Sequence, residues 1–281
     1  MKVGCFALID PFQLLEHQLE RIAGLGFKYA DVTDNHPGGL LGREFGFSST
    51  VSLDDNPRDV RDLFEKHGLT VTSVCAHANL LDASSPSAYG TTEISKAVRL
   101  AAGMGVKHVI TTEGDPKTAW GHKLSYQEKV FIVAEKLYEP LRLAEALGVQ
   151  ILLEPHGELT DSIMGMKAIF DRLGNPDNLG VNMDTGNYWL GGCDPVEFVS
   201  EFKERIWHVH WKDLPADWDA KRGKLFGCGF APIAVGEGVI DIAGVYNLLK
   251  DVPGLEYSTL EVGGDDNTRK SYAYLKSLGA E

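Results

Sequence analysis

Residues 206–213 read Ile-Trp-His-Val-His-Trp-Lys-Asp, and this stretch decides how the rest of the chain is interpreted. Its β-branched and aromatic residues predict a strand. Because successive side chains of a strand alternate between two faces, one face would be polar and the other apolar. The polar face consists of His208, His210 and Lys212, and the apolar face of Trp207, Val209 and Trp211. We expect the apolar face, with its two tryptophans, to pack against helices outside a buried sheet. The polar face would then lie in an interior, where such groups are costly unless they are paired or coordinated.

The rest of the chain alternates strand-like and helix-like segments. Strands are predicted at about 3–8, 29–33, 70–76, 108–112, 149–153, 179–183, from 206, and 257–262. Helices are predicted at about 12–23, 54–67, 91–104, 125–147, 160–173, from 194, 241–250 and 268–278. We expect Asp54 or Asp55 to begin the second helix and Thr160 or Asp161 to cap the fifth.

This alternation predicts a parallel sheet. Eight such units in a chain of 281 residues match a (β/α)8 TIM barrel that forms one domain over residues 1–281. The alternative is a doubly wound open sheet, which usually carries a glycine-rich phosphate turn after its first strand. The corresponding turn here is Ile9-Asp10-Pro11, without glycine, so the barrel is favoured.

Composition limits the partners. A formal net charge of −13 argues against nucleic acid or an anionic membrane as a partner, because both reward basic patches. No apolar run approaches the ~20 residues that span a bilayer. The four cysteines are widely spaced, which favours free thiols in a reducing compartment. The chain enters its first strand without a signal-like segment, so we expect a cytoplasmic protein.

Polar side chains follow most of the predicted strands, and in a TIM barrel the active site lies at the carboxyl ends of the strands. These residues are His77, Glu113, Glu154 with His156, Asp184 with Asn187, His210 with Lys212, and Glu261. One Glu, Asp, His and Glu come from the last four strands, and such a donor set suits a divalent cation of the Mg, Mn, Co and Zn group. Any single acid could instead be an ion-pair partner, and a lone histidine a core residue. Four such residues on four successive strands favour a shared metal. His208 lies two residues deeper than His210 on the same face, so we expect it to support the site rather than to bind the metal.

Five motifs resemble the sugar phosphate isomerase/epimerase group of the xylose isomerase-like TIM barrels. They are Leu-Glu-Pro-His at 153–156, Asp-Thr-Gly-Asn at 184–187, His-Val-His-Trp-Lys-Asp at 208–213, Gly-Glu-Gly-Val-Ile-Asp at 236–241 and Leu-Glu-Val at 260–262. The resemblance spans the chain and is dense from about residue 151. In ketose 3-epimerases of this group a Glu-Asp-His-Glu quartet binds Mn²⁺ or Mg²⁺. The resemblance therefore implies a site for a divalent metal, Mn²⁺ first and Mg²⁺, Co²⁺ or Zn²⁺ as alternatives, held by Glu154, Asp184, His210 and Glu261.

The resemblance also implies catalytic roles. The two glutamates, Glu154 and Glu261, double in that group as acid/base residues on opposite faces of the substrate. The epimerase pattern has a sugar-binding histidine where this chain has Asn187, and the Lys-Asp at 212–213 looks more like inosose dehydratases. His156 offers a further acid/base. The DNA-repair endonuclease branch has a histidine like His77, but its additional histidine ligands have no counterpart here, and the acidic charge opposes it.

The implied substrate is a sugar or polyol that chelates the metal through a carbonyl and a hydroxyl. The cation would polarise the carbonyl and stabilise an enediolate. Reprotonation from the opposite face gives epimerisation, and reprotonation at the neighbouring carbon gives isomerisation. Departure of a β-hydroxyl, assisted by His156, would instead make the protein a dehydratase or lyase. A non-catalytic sugar-binding barrel is the remaining alternative.

Several residues are expected to line the substrate site. Asn187, Lys212, Glu113 and His77 are predicted substrate contacts, although Lys212 could instead pair with a neighbouring acid. The loops at 39–52 and 214–239 should cover the barrel mouth. Three aromatic residues would form a wall against the sugar, a lid, or the interface of a homo-oligomer, and they are Trp218, Phe226 and Phe230.

Overall fold

Eight parallel strands form a closed barrel in chain order, as predicted, in a computed structural model that describes residues 1–36 and 45–281. The strands are β1 (Lys2–Phe6), β2 (Tyr29–Thr33), β3 (Thr70–Cys75), β4 (His108–Thr111), β5 (Gln150–Leu153), β6 (Leu179–Asp184), β7 (Ile206–Trp211) and β8 (Tyr257–Leu260). The helices are α1 (Leu15–Gly24), α2 (Pro57–Lys66), α3 (Tyr89–Met104), α4 (Tyr126–Leu147), α5 (Ile163–Leu173), α6 (Thr185–Leu190), α7 (Pro195–Phe202), α8 (Ile242–Leu249) and α9 (Asp265–Leu278). The chain is therefore a TIM barrel, with helices outside a parallel sheet.

Helix α2 begins later than predicted. Asn56, rather than Asp54 or Asp55, is its N-cap, and the Asn56 side chain accepts a hydrogen bond from the backbone N of Arg58 at 3.1 Å. Pro57 follows at the first helical position, where its missing N–H costs nothing. The prediction missed this start because any of three consecutive polar residues satisfies a capping rule, and only the backbone geometry chooses among them.

Helix α5 also begins later than predicted. Ser162 is its N-cap and accepts from Gly165 N at 2.9 Å, so the prediction of Thr160 or Asp161 is wrong. The Thr160 hydroxyl accepts instead from the backbone N of His156 at 3.1 Å. Thr160 therefore closes the turn after β5. This turn contains the polar residues that follow the strand.

Strand β7 departs from simple alternation at its start. Val181 pairs with Ile206 but Asn182 pairs with His208, so β7 has an extra residue, Trp207, at this point. The Trp207 indole lies against Gly180 and packs with the cluster that fills the barrel interior. This interior cluster consists of Phe6, Leu8, Cys75, Ile110 and Leu152. The prediction that Trp207 faces the helices is therefore wrong.

Trp211 behaves as predicted. Its side chain belongs to the large cluster between the barrel and the helices, and its ring centroid lies 6.4 Å from that of Tyr246 in α8. His208 and His210 are both fully buried in the interior. Alternation thus holds from residue 208 onward, because the bulge lies before it.

The loop between β7 and α8 is held together by Asp213. Its buried carboxylate accepts hydrogen bonds from four backbone N–H groups at 2.9–3.1 Å, those of Leu214, Gly236, Gly238 and Ile240. A Cβ on Gly238 would collide with this carboxylate, so the second glycine of the Gly-Glu-Gly motif is required by the close approach. The aspartate of the Lys-Asp pair is thus the centre of a backbone turn.

The loops at the barrel mouth fit the prediction in part. A Cβ on Gly227 would lie 2.8 Å from the Cδ2 atom of His156, so the loop at 214–239 covers this residue. The Phe230 ring centroid lies 6.0 Å from that of Phe47. In contrast, Trp218 packs into the large outer cluster, with the Lys221 ammonium over its ring. Of the predicted loop at 39–52, residues 39–44 lie outside the described residues.

All four cysteines are free. No helix in the described part of the chain combines the length and the apolar character needed to cross a membrane.

Candidate metal centre

Four side chains converge at the carboxyl ends of the last four strands. Glu154 directly follows β5, Asp184 ends β6, His210 lies near the end of β7 and Glu261 follows β8. Each offers one nitrogen or oxygen atom, and these atoms all lie within 4.8 Å of one another. All four residues are at most 3% exposed. The structure therefore brings together the four residues that the sequence assigned to a metal.

Asp184 is positioned by two elements at once. It is the last residue of β6 and the N-cap of α6, and its Oδ1 atom accepts from Asn187 N at 2.8 Å. The prediction missed α6, because six residues are too few to show helical periodicity. The cap uses Oδ1, and Oδ2 lies 2.9 Å from Lys212 Nζ.

His210 presents opposite ring nitrogens to two different groups. Its Nδ1 atom lies 3.1 Å from Glu154 Oε2 and 3.4 Å from Glu261 Oε2. Its Nε2 atom lies 3.0 Å from Oδ2 of Asp31 in β2. His210 thus joins the quartet to an acidic residue deeper in the barrel.

Lys212 lies beside the quartet. Its Nζ atom is 2.9 Å from Asp184 Oδ2 and 2.8 Å from Glu261 Oε2, and the residue is fully buried. Burial lowers the pKa of the ammonium, but the two carboxylates outweigh burial and raise this pKa well above its usual range. The ion pair that was the alternative to substrate binding is therefore present, and the substrate contact stays a prediction.

The carboxylates of the quartet differ in their affinity for protons. Burial, together with the charges of Glu154 and Glu261, raises the pKa of Asp184 to about 7, although Lys212 opposes the shift. For Glu154, burial raises the pKa, but nearby histidines, first His77, outweigh it and hold this pKa well below its usual range. The centre thus contains three buried carboxyl groups close together, and their mutual repulsion must be compensated by positive charge.

The quartet fits a divalent cation. Within the described residues, three buried atoms of the quartet make no hydrogen bond of good geometry, and they are Asp184 Oδ2, His210 Nδ1 and Glu261 Oε2. The two oxygens still lie 2.9 and 2.8 Å from the Lys212 ammonium, which compensates part of their charge. Buried acceptors that no hydrogen bond satisfies are costly, and one ammonium does not balance three carboxylates, so the group could hold a cation. Three carboxylate oxygens and one imidazole nitrogen are a donor set that metals of the Mg, Mn, Co and Zn group accept.

Asn187 links the covering loop to the centre. Its Oδ1 atom accepts from the backbone N of Cys228 at 2.9 Å, which turns its NH₂ group toward Glu154 Oε1 at 3.3 Å and His156 Nε2 at 3.4 Å. His156 therefore accepts at Nε2, and its Nδ1 faces Glu154 Oε1 at 3.3 Å. In this arrangement His156 carries its proton on Nδ1 and supports the glutamate. Burial lowers the pKa of His156 to about 3.

His77 also faces the quartet, with its Nε2 atom 3.2 Å from Glu154 Oε2. Together with Glu154 and His156 it forms a second group of donor atoms that lie close to one another. A third group, deeper in the barrel, combines His210 with Asp31 and Cys75. Burial raises the pKa of the Cys75 thiol to about 12, so this sulfur remains protonated.

Glu113 has a different environment from the quartet. Its carboxylate accepts from the backbone N of Leu159 and of Thr160, and Gly157 packs directly against it. Burial raises the pKa of Glu113 to about 7. Glu113 thus holds the loop after β5, and the predicted substrate contact stays a prediction.

Sequence reasoning missed two residues beneath the quartet. Asp31 lies in β2 and Asn182 in β6, and both are fully buried. Asn182 Nδ2 donates to Glu154 Oε2 at 2.8 Å. The sequence contained a signal for both residues. Each is a polar residue inside a strand, and the residues directly before and after it are apolar.

The comparisons with known proteins agree with this architecture. A sequence model described as "Xylose isomerase-like TIM barrel" matches residues 19–278. An inosose dehydratase of Geobacillus kaustophilus (strain HTA426) is 23% identical over 192 residues, 62% of this chain and 61% of that protein. The chain thus spans less than two thirds of this curated relative.

Two solved structures are similar over nearly the whole chain. A D-tagatose 3-epimerase-like protein has a TM-score of 0.74 at 21% identity, covering 99% of this chain and 97% of that one. The IOLI protein with a bound zinc atom has a TM-score of 0.73 at 18% identity, covering 99% and 98%. At these identities the likeness shows the fold alone. Because the sequence model covers most of the chain, the protein belongs to the xylose isomerase-like TIM barrel family.

Proposed function

We propose that this protein is a divalent-metal-dependent sugar isomerase or epimerase that acts on a ketose or related keto-sugar through an enediolate. The observation that carries the proposal is the buried convergence of Glu154, Asp184, His210 and Glu261, whose donor atoms all lie within 4.8 Å of one another. These four residues would hold the cation. Bound there, a divalent cation supplies a Lewis acid that polarises the substrate carbonyl and stabilises the enediolate charge.

Glu154 is suited to move a proton, because hydrogen bonds to both of its carboxylate oxygens fix the orientation of the group. Asn182 donates to one of its oxygens at 2.8 Å, and Asn187 donates to the other at 3.3 Å. A fixed carboxylate removes the α proton without first losing rotational freedom. Glu261 follows β8, three strands along the barrel from β5. It would return a proton to the other face for epimerisation or to the next carbon for isomerisation.

Lys212 and the covering loop complete the site. The Lys212 ammonium, between Asp184 and Glu261, can donate to a substrate oxygen that carries developing charge. The stretch that includes Gly227 and Cys228 packs over His156 and Asn187 and would exclude water from the reacting carbon.

Solvent deuterium exchange tests the proposal. With Mn²⁺ present, we expect deuterium at the carbon beside the carbonyl of at least one sugar in a broad ketose panel. Glu154→Gln should lower the exchange rate about 10²–10⁴-fold, the usual contribution of a general base. Glu158→Gln is the matched control, since it neutralises an exposed acid on the same loop. An absence of exchange across the panel would refute an enediolate enzyme, and unchanged exchange in Glu154→Gln would refute the assigned base.

A second candidate is a dehydratase of a keto-sugar or inosose. It is favoured by His156, beside Glu154 and facing the mouth, and by the similarity to an inosose dehydratase. In this reaction the base removes the α proton, the bond between the β carbon and its hydroxyl oxygen breaks as the carbon–carbon double bond forms, and His156 would supply the proton with which the hydroxyl leaves as water, so that an enone forms. Turnover would raise an enone-type ultraviolet absorbance that His156→Ala abolishes. Deuterium exchange without any absorbance change would instead support the isomerase or epimerase.

A further inference from the structure

A layer of three fully buried residues lies directly beneath the quartet. They are Asp31 in β2, Asn182 in β6 and His208 in β7. We propose that this layer positions the metal ligands and that Asp31 holds His210 in the tautomer whose Nδ1 atom can bind a cation. This inference rests on the metal centre proposed above and assigns roles to residues that do not belong to the quartet.

The tautomer of His210 follows from its two neighbours. An ionised carboxylate is an acceptor only, so Asp31 Oδ2, at 3.0 Å from His210 Nε2, requires the proton to lie on Nε2. The Nδ1 atom, which lies 3.1 and 3.4 Å from oxygens of Glu154 and Glu261, is then the nitrogen whose lone pair is left for a cation in the neutral ring. Two carboxylates so close to Nδ1 favour positive charge at this position, which a proton supplies in the metal-free protein and a bound cation would supply in its place. Asp31 thus prepares His210 as a ligand.

Asp31 is itself held in place from a neighbouring strand. The Thr72 hydroxyl in β3 donates to Asp31 Oδ1, which leaves Oδ2 for the histidines. His208 Nε2 lies 3.5 Å from the same Oδ2 atom. With strands on both sides fixed by the barrel, the carboxylate has no freedom to turn away from His210.

The same layer also orients Glu154. Asn182 Nδ2 donates to Glu154 Oε2 at 2.8 Å, so its Oδ1 atom is the acceptor that faces His208 Nδ1 at 3.1 Å. Thr259 Oγ1 lies 3.4 Å from the other ring nitrogen of His208. His208 therefore lies between Asn182 and Asp31, and the residues behind two ligands from different strands pack in one buried layer.

The decisive variant is Asp31→Asn. Asparagine has nearly the same shape, but its NH₂ group can face His210 Nε2 and favour the tautomer with a proton on Nδ1. Residues behind metal ligands typically contribute 10–100-fold in affinity. We therefore expect Asp31→Asn to weaken Mn²⁺ binding about 10–100-fold by calorimetric titration. Asp34→Asn is the matched control, because it makes the same change at a buried acid that contacts His36 instead. It should leave the Mn²⁺ affinity within about threefold, well below the range typical of residues behind metal ligands.

Imidazole ¹⁵N spectra of the Zn²⁺-loaded protein provide a readout that a loss of folding would not mimic. The wild-type protein should show a His210 ring with Nδ1 bound to the metal and a hydrogen-bonded Nε2–H, and Asp31→Asn should lose this pattern while its circular dichroism is unchanged. If the wild-type protein binds no Mn²⁺, the metal centre itself is refuted. If it binds Mn²⁺ and Asp31→Asn binds equally well with the same ¹⁵N pattern, the metal centre stands and the role of Asp31 is refuted.

Discussion

We expect substitution of Asp213 by alanine to destabilise the fold strongly, although this residue lies outside the quartet. Its carboxylate accepts from four backbone N–H groups of the loop between β7 and α8. The substitution would remove the carboxylate that these four N–H groups share, and each of them would need water instead.

The magnitude follows from the four hydrogen bonds. A buried donor left without a partner costs about 1–3 kcal/mol, so four would cost at least about 4 kcal/mol. Gly236 is exposed and Gly238 is half-buried, so water can reach their N–H groups, which reduces the sum. We therefore expect Asp213→Ala to lower the free energy of unfolding by about 3–5 kcal/mol. Asp213→Asn keeps one acceptor oxygen and should lose roughly half of this amount.

Urea denaturation followed by circular dichroism measures the change directly, through the midpoint and slope of the transition. Asp217→Ala is the matched control, because this acid is exposed in the short 3₁₀ helix of the same loop, and it should change stability by less than about 0.5 kcal/mol. A loss of less than about 1 kcal/mol in Asp213→Ala would refute the reasoning, since it would mean that the N–H groups find water at no cost.

Three further predictions concern packing, protonation and metal binding. Gly180→Ala should cost about 1–3 kcal/mol in urea denaturation, because a Cβ there meets the Trp207 ring, and the additional substitution Trp207→Leu should restore part of it. Burial raises the pKa of Glu113 to about 7, so the folded state retains a proton that the unfolded state releases near pH 4.5, and stability should fall as pH rises between these values. Glu113→Gln should lack this dependence, and parallel stability profiles of the two proteins across that range would contradict it. Mn²⁺ at about 100 times its Kd should add about 2.7 kcal/mol to the stability of the wild-type protein and nothing to Asp184→Asn, and equal melting temperatures with EDTA and with Mn²⁺ would contradict this.

The alternation of strand and helix signals was sufficient to predict the barrel. Each strand contains at least one β-branched residue, and every helix except α6 is long enough to show an apolar stripe, so both kinds of element can be recognised without any long-range contact. The four quartet residues could be predicted for the same reason. Parallel strands in a barrel all end at one face, so polar residues at strand ends, such as Glu154 and Asp184, must meet there.

Local sequence signals were insufficient to predict the orientation or role of a side chain wherever these depended on a distant part of the chain. The outward orientation predicted for Trp207 was wrong because a one-residue bulge, visible only in the pairing of β7 with β6, reverses the face. Asp213 looks like a second polar residue of the Lys-Asp motif, and only the return of the chain at Gly236 makes it the acceptor for a whole loop.

The sequence by itself determined the fold class and the set of residues that gather at the carboxyl end of the barrel, because both follow from periodicity and strand order. The tertiary structure alone decided which atoms of those residues face one another. The Asp31 carboxylate reaches His210 across 179 positions of sequence, and it lies there because closure of the barrel brings its first and last strands together. Which ring nitrogen of His210 faces the quartet depends on that closure.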